Sequence, residues 1–353
     1  NLKERVILRC DDGPDVKNFP PLLGALRELR IQNVEFYFVG MDIAPPRLTG
    51  MVREALDSHD ARAIKDLIFR LAREKDVSDF DPNKSEIIRQ IIESGYVLGN
   101  HTYTHPDRDS KRPLESYEKH QFLLEVVATQ QIMNLSLKRA GGSAFLADRF
   151  AAPGGNYHLT PQLRNQLKNL YNPSHPWSVF SLLGIHELRE IYPGIDGLPL
   201  RRGLEPVGWD MDAYDANRYH ERSHPSAIRQ EVVERLMKQD KVRLLIHPGK
   251  GDWPQALKQI FEDASSPLSL SERKGTVDFI GRATLGLAYP QAEGEKSSSP
   301  AAKNFYNEKK AVSERNSASS SPIGEFLSAN PLPMMEKVTL ILLEQGLSKR
   351  RII

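Results

Sequence analysis

The sequence predicts an α/β protein built on a parallel sheet or barrel, and two observations carry that expectation. Strand-like and helix-like runs alternate from residue 6 to residue 252, the order that builds β–α–β crossovers. The ends of five of these strands also carry, in turn, Asp11-Asp12, His101 with His105, Pro153-Gly154-Gly155, Asp212 with Asp215, and His247. In parallel α/β architectures the carboxyl ends of the strands form the active face.

The elements follow in order. Residues 6–10 are a short, mostly apolar run that reads as a buried strand and stops on two carboxylates. Residues 19–30 have helical spacing through Leu22, Leu23, Leu26 and Leu29. NVEFYFVG, 33–40, is β-branched and aromatic and closes on Gly40, so it is the second strand. Residues 47–75 carry a helical pattern, and 81–95 form a helix with Ile87, Ile88, Ile91 and Ile92 inward and Gly95 as its stop. YVLGN, 96–100, is a short strand, and 115–140 a long helix. Strands then enter a Gly-rich turn at 145–156 and recur at 205–215 and 241–252.

Past residue 265 the character changes. Residues 276–289 alternate like a strand, 291–322 are rich in Ser, Ala, Lys and Glu like a loosely held segment, and 336–346 read as a strand returning to the body. The expected organisation is a catalytic domain over 1–265 and a C-terminal extension over 266–353. An insertion at 173–203 is expected to line the cleft.

The totals exclude several classes. A net charge of +2 without a long basic block gives no ground for a nucleic-acid partner. No run approaches the ~18–20 apolar residues that span a bilayer, and nothing points to an obligate protein partner. The single cysteine, Cys10, rules out an intramolecular disulfide framework and a cysteine zinc site. It lies in an apolar run, where burial and inertness are expected. The chain begins at Asn1 and enters a strand almost at once, which sets the expectation of a preceding leader or trimmed segment.

The strand-end residues suit one chemistry. Adjacent carboxylates repel unless they have different tasks, one on a metal and one on a proton. His101 and His105 are four apart, and on a helical turn that spacing puts both rings on one face. Two imidazoles with a carboxylate from another strand form a zinc set that leaves positions open. A metal polarises an amide carbonyl, a carboxylate takes the proton of water, and an imidazole protonates the leaving nitrogen. PGKGD, 248–252, lacks the spacing and Ser/Thr of a phosphate loop and reads as a turn.

Taken in order, CDDGPD (10–15), HTYTH (101–105), FAAPGG (150–155), WDMDAYDA (209–216) and LLIHP (244–248) resemble the five motifs of the polysaccharide deacetylase family, the NodB-homology domain of carbohydrate esterase family 4. The resemblance covers roughly residues 4–260. It implies a distorted (β/α)7-type barrel and metal-dependent removal of acetyl groups from a glycan. Asp12, His101 and His105 would hold one divalent metal, with Zn2+ expected and Co2+, Mn2+ or Ni2+ as alternatives. Asp11 would be the catalytic base and His247 the general acid, held by Asp215 or, as the weaker choice, Asp212. Pro153 and Gly154 would stand at the oxyanion, and Trp209 would line the pocket.

Two positions depart from the family. Ala151 occupies the place of an arginine that braces the base, and Arg149, two residues earlier, is the expected substitute. Ala216 occupies the place of a tryptophan. The expected substrate is an N-acetylhexosamine glycan, peptidoglycan first, with chitin oligomers or xylan as alternatives. A secreted, periplasmic or envelope location in a bacterium is expected with it. A non-catalytic, metal-retaining glycan-binding module is the alternative from another class.

Overall fold

The computed structural model describes residues 2–106, 113–195, 202–213, 215 and 224–261. The expected C-terminal extension, 266–353, and Ala216 lie outside the described residues, as does part of the insertion, 196–201.

Seven strands form one parallel sheet: β1 (Val6–Asp11), β2 (Val34–Phe38), β3 (Val97–Asn100), β4 (Arg149–Phe150), β5 (Glu205–Pro206), β6 (Met211–Asp212) and β7 (Val242–Ile246). Their order is β5-β4-β3-β2-β1-β7-β6, with every described pairing parallel. The helices are α1 (Leu2–Arg5), α2 (Phe19–Glu28), α3 (Gly40–Ile43), α4 (Pro46–Ser58), α5 (Ala61–Ala72), α6 (Pro82–Glu93), α7 (Lys119–Arg139), α8 (Pro161–Lys168), α9 (Val179–Leu183), α10 (Pro225–Leu236) and α11 (Trp253–Phe261). This is the α/β architecture that the alternating pattern predicts.

The sheet curls. Neighbouring strands lie about 4.8 Å apart, so the four steps from β1 to β5 would span about 19 Å in a flat sheet. Yet Arg9 Nη1 on β1 donates to the Val207 carbonyl just past β5 at 2.8 Å, which only a curved sheet allows. Alternation along the strands then gives the two faces different contents. Val6, Leu8, Cys10, Val34, Phe36 and Phe38 are buried in the main hydrophobic core. There Phe19 of α2 meets Phe36 and Phe38 at ring separations of 5.8 and 5.4 Å. Arg9, Asp11, Glu35, Tyr37 and Arg149 point the other way, into the concave face.

Local chemistry sets the boundaries. The helical pattern over 47–75 is two helices, because His59 turns left-handed at φ 53° and the Asp60 side chain caps α5 by accepting from the Arg62 N–H. The strand expected over 145–152 shrinks to two residues because α7 takes its backbone groups. Gln130 Nε2 donates to the Phe145 carbonyl, Gln130 Oε1 accepts from the Ala147 N–H, and Asn134 Oδ1 accepts from the Phe145 N–H. Helix α7 is buried nearly all round, with Gln121, Glu125, Thr129, Gln130 and Gln131 inside along with its apolar residues.

The described part of the 173–203 insertion packs on this helical layer. Gln131 Nε2 donates to the Ile191 carbonyl at 2.9 Å, and Tyr192 meets Tyr171 edge-on at 6.2 Å.

Candidate active site

Asp11 ends β1 and Asp12 follows it with φ 67°, a left-handed conformation that aspartate tolerates better than most residues. The turn leaves both carboxylates facing His101, with Asp11 Oδ2 and Asp12 Oδ1 each 3.6 Å from its Nε2. His101 follows directly on β3, and its Nδ1 lies 2.8 Å from the Ala151 carbonyl. A carbonyl only accepts, so Nδ1 carries the hydrogen and Nε2 presents its lone pair. That Nε2 lies 3.6 Å from Asp12 Oδ1, and His105 Nε2 lies 3.3 Å from the same oxygen.

The segment from His101 to His105 is a loop and not the expected helical turn. Thr102 and His105 both take left-handed backbone angles, φ 66° and 54°. Such strain, about 1–3 kcal/mol per residue, persists only where the surroundings enforce it. Glu125 does so from the buried side of α7. Its carboxylate accepts from the N–H groups of Tyr103 and Thr104 at 2.6 and 2.8 Å, from Thr104 Oγ1 at 2.6 Å and from the Tyr117 hydroxyl at 3.1 Å. Asn100 adds a second clamp, accepting from the Thr102 N–H and donating to the Val126 carbonyl. The loop brings the two imidazole rings within 5.0 Å of each other.

The donors of Asp12, His101 and His105 lie within 4.8 Å of one another. Asp12 Oδ1 is buried and has no hydrogen-bond partner, although two imidazole nitrogens face it. An oxygen in that state, beside an Nε2 lone pair, fits a divalent cation. Burial pushes His101 down to about 4, against the pull of Asp11, so the ring stays neutral and able to ligate at ordinary pH. Burial works to raise the Asp12 carboxyl, but His105, His101 and His247 outweigh it and hold it well below the usual range.

Asp11 is almost wholly buried, with Oδ2 3.6 Å from His101 Nε2. Arg9 grips it. Nε donates to Oδ1 at 2.7 Å and Nη2 to Oδ2 at 2.5 Å. Burial would raise the Asp11 carboxyl, but the Arg9 charge, then His101, bring it below its ordinary value. The expectation that Arg149 braces Asp11 is overturned. Arg149 binds Glu35, which also takes Arg243 at 3.1 Å and the Tyr37 hydroxyl at 2.9 Å. Arg149 shares the face with Asp11, but Glu35 on β2 is the carboxylate within its reach.

On the other side, Asp215 holds His247. Asp215 Oδ1 lies 2.7 Å from His247 Nδ1, and Oδ2 accepts from the His247 N–H at 2.5 Å. Trp253 Nε1 donates to the same Oδ2 at 2.9 Å. Burial opposes charge on His247, but the Asp215 hydrogen bond and charge, with Asp12 and Asp11, raise it to about 9. Asp212 sits on β6 beside Leu245, so Asp215 is the partner of His247.

After β4, Pro153, Gly154 and Gly155 turn tightly, and the Gly155 N–H donates to the Ala152 carbonyl. Gly154 and Gly155 have φ 68° and 119°. A side chain on Gly155 would strike the rings of Tyr157 and Trp209. Trp209 is half-buried, with its ring 4.8 Å from the Arg9 guanidinium.

Asp12, His105 and His247 open together onto a cleft of about 720 Å³, lined also by Val16, Lys17, Lys84 and Lys250. None of the described residues of the 173–203 insertion lines it, contrary to expectation, because they cover the α7 side of the fold. Sequence reasoning missed Arg9, Glu125 and Trp253. The signal for Arg9 was its place two residues before Asp11 on a strand.

Residues 1–170 match the family model of polysaccharide deacetylases. Over that stretch the chain carries a polysaccharide deacetylase domain. Solved structures similar to it include a family 4 carbohydrate esterase from Streptomyces lividans in complex with acetate, 21% identical, covering 77% of this chain and 95% of that one, TM-score 0.41. A Streptococcus mutans family 4 esterase is 17% identical over 73% of this chain and 80% of its own, TM-score 0.46. A peptidoglycan deacetylase from Bacillus subtilis is 15% identical over 82% and 99%, TM-score 0.40. No curated protein matches the sequence. Among the described residues, no helix is long and apolar enough to cross a membrane.

Proposed function

We propose that the protein is a metal-dependent deacetylase that removes N-acetyl groups from N-acetylhexosamine residues of a glycan, with peptidoglycan as its substrate. One observation carries this reading. The three-donor cluster of Asp12, His101 and His105 adjoins the braced carboxylate of Asp11 and opens onto the same cleft as the Asp215-held imidazole of His247. Those are the parts that amide hydrolysis needs.

Asp12, His101 and His105 would hold the ion, with zinc the metal that two imidazoles and a carboxylate suit best. A divalent ion there supplies positive charge that polarises the acetyl carbonyl and makes a nearby water more acidic. Asp11 accepts the proton of that water. Asp215 keeps the hydrogen on His247 Nδ1, so Nε2 delivers the second proton to the leaving amine. The Gly154 N–H is the donor for the oxyanion, worth roughly 3 kcal/mol by analogy with other hydrolases.

The cleft lining pairs Lys17, Lys84 and Lys250 with Asp12, Asp15 and Asp42, so it presents both signs of charge to peptidoglycan. A secreted, periplasmic or envelope location follows from that substrate. Ala151 no longer favours a non-catalytic module, since Arg9 grips Asp11 in its place.

The test is acetate release from N-acetylated peptidoglycan and from chitooligosaccharides. Zinc-loaded protein should release acetate, and chelated protein or Asp11→Asn should lose about 10²–10⁴-fold. Metal-loaded protein that binds glycan and releases no acetate from either polymer would sink the proposal.

A further inference from the structure

We infer that Arg9 is the positioning residue for the Asp11 base, supplied from the base's own strand, and that Ala151 is the small partner that leaves room for it. The inference rests on the deacetylase reading above.

Arg9 is completely buried. Two of its N–H groups form a fork on Asp11, and Nη1 donates to the Val207 carbonyl at 2.8 Å. Its guanidinium lies 5.2 Å from the Tyr37 ring and 4.8 Å from the Trp209 ring. The group is therefore fixed at its edge by hydrogen bonds and on its faces by aromatic rings. A carboxylate held through both oxygens cannot rotate. Burying an arginine is costly unless every donor is met, and here the cost places one carboxylate beside a metal cluster.

The fork also separates the two oxygens of Asp11. Oδ1 faces Arg9 Nε. Oδ2 takes Nη2 but also lies 3.6 Å from His101 Nε2, so its remaining lone pair is the one on the metal side. The water O–H bond breaks toward Oδ2, which takes the proton.

Ala151 fits the same layer. It packs in a small buried cluster with Tyr37 and Val207, the two residues that also touch Arg9. Its carbonyl accepts the His101 Nδ1 hydrogen. A longer side chain at 151 would enter the space beside the Arg9 guanidinium, and a second cation there would compete for one carboxylate. Arg9 and Ala151 are thus a matched pair, and an arginine can serve Asp11 from one position or the other.

The experiment is acetate-release kinetics on zinc-loaded protein, with zinc affinity by chelator competition and thermal melting on each variant. Arg9→Lys keeps the charge and loses the fork. It should lower kcat about 10²-fold, the scale of a small misplacement of a reacting group, with KM and zinc affinity within about threefold. In an Asp11→Asn background the same change should cost nothing further, because the two residues act as one unit. Ala151→Arg alone should reduce kcat, whereas Arg9→Thr/Ala151→Arg should exceed Arg9→Thr by about tenfold or more.

Arg9→Lys that keeps kcat, or that loses as much without Asp11 as with it, overturns the assignment. If Arg9→Lys and Arg9→Met both fail to fold, Arg9 is structural and the assignment is overturned as well. Wild-type protein that releases no acetate refutes the deacetylase reading itself and takes the assignment with it.

Discussion

The two faces of the sheet are made by the same strands and do opposite things. On the convex face Leu8, Cys10, Phe36 and Phe38 meet α2 and α6 in a dry apolar layer. On the concave face the alternate residues Arg9, Asp11 and Glu35 are just as buried, yet they are charged and paired with one another or with Arg149 and Arg243. The convex face supplies stability through area removed from water. The concave face supplies fixed charge, which costs desolvation and returns position. A change on the first face should therefore be felt in folding, and a change on the second in metal binding and rate.

Phe36→Ala breaks the comparison hardest on the stability side. The ring is fully buried and contacts Phe19, Phe38 and Tyr96. Its removal should cost about 3–5 kcal/mol, read as a fall in the urea midpoint. The molecules that remain folded should keep their zinc affinity and kcat. A large change in kcat with little loss of stability would mean that the two faces are not separable.

Glu125→Ala tests the charged side. It strands the N–H groups of Tyr103 and Thr104 in a buried loop that already carries strained backbone at Thr102 and His105. About 2–6 kcal/mol of stability should be lost, at about 1–3 kcal/mol for each of the two stranded donors. Zinc affinity should fall by about 10–100-fold, because the groups that orient ligands are lost. Chelator competition measures the second effect, and an unchanged affinity would show that the loop holds its shape without its clamp.

These residues show what was legible in the sequence and what was not. Asp11, Asp12, His101, His105 and His247 stood out because each lies at or shortly after the end of a strand-like run, and the end of a parallel strand is a place that a one-dimensional pattern marks. Arg9 was hidden inside such a run. A strand buried on both faces reads as continuously apolar, so one arginine looks like a tolerated exception. Period-two counting from Asp11 would have placed it beside that carboxylate. Glu125 left no signal at all. A glutamate in a helix normally marks the solvent side, and only tertiary packing reveals that α7 is enclosed. The four-residue spacing of the histidines marked them as a pair but did not reveal the loop that joins them, since the backbone angles of Thr102 and His105 depend on Glu125 and Asn100 from other elements.

Asp215→Asn should be read in the pH dependence of the rate. A general acid works when protonated, so kcat/KM should hold below the His247 value of about 9 and fall as pH rises through it. Asparagine keeps a hydrogen-bond acceptor for Nδ1 but removes the charge, and the alkaline limb should move down toward about 6.5, the ordinary histidine value. At pH 8 that shift leaves roughly 30-fold less protonated imidazole. A pH profile whose alkaline limb does not move would remove His247 from the role of acid.

The smallest effect is expected at Tyr157, which belongs to neither face. The residue is 75% exposed, yet its ring centre lies 4.1 Å from that of the buried His158, tilted at 46°, and close to Gly155, where Trp209 also packs. An exposed aromatic ring beside the glycine turn has few torsions to fix, and its outer surface suits the apolar face of a hexose. Tyr157→Ala should leave melting temperature, zinc affinity and kcat unchanged and raise KM by about 2–10-fold, the equivalent of one aromatic contact of 0.5–1.5 kcal/mol. The rise should appear with oligosaccharides and vanish with a single N-acetylhexosamine too short to reach the ring. An equal rise with both would place Tyr157 at the reacting sugar itself and extend the charged pocket outward to include it.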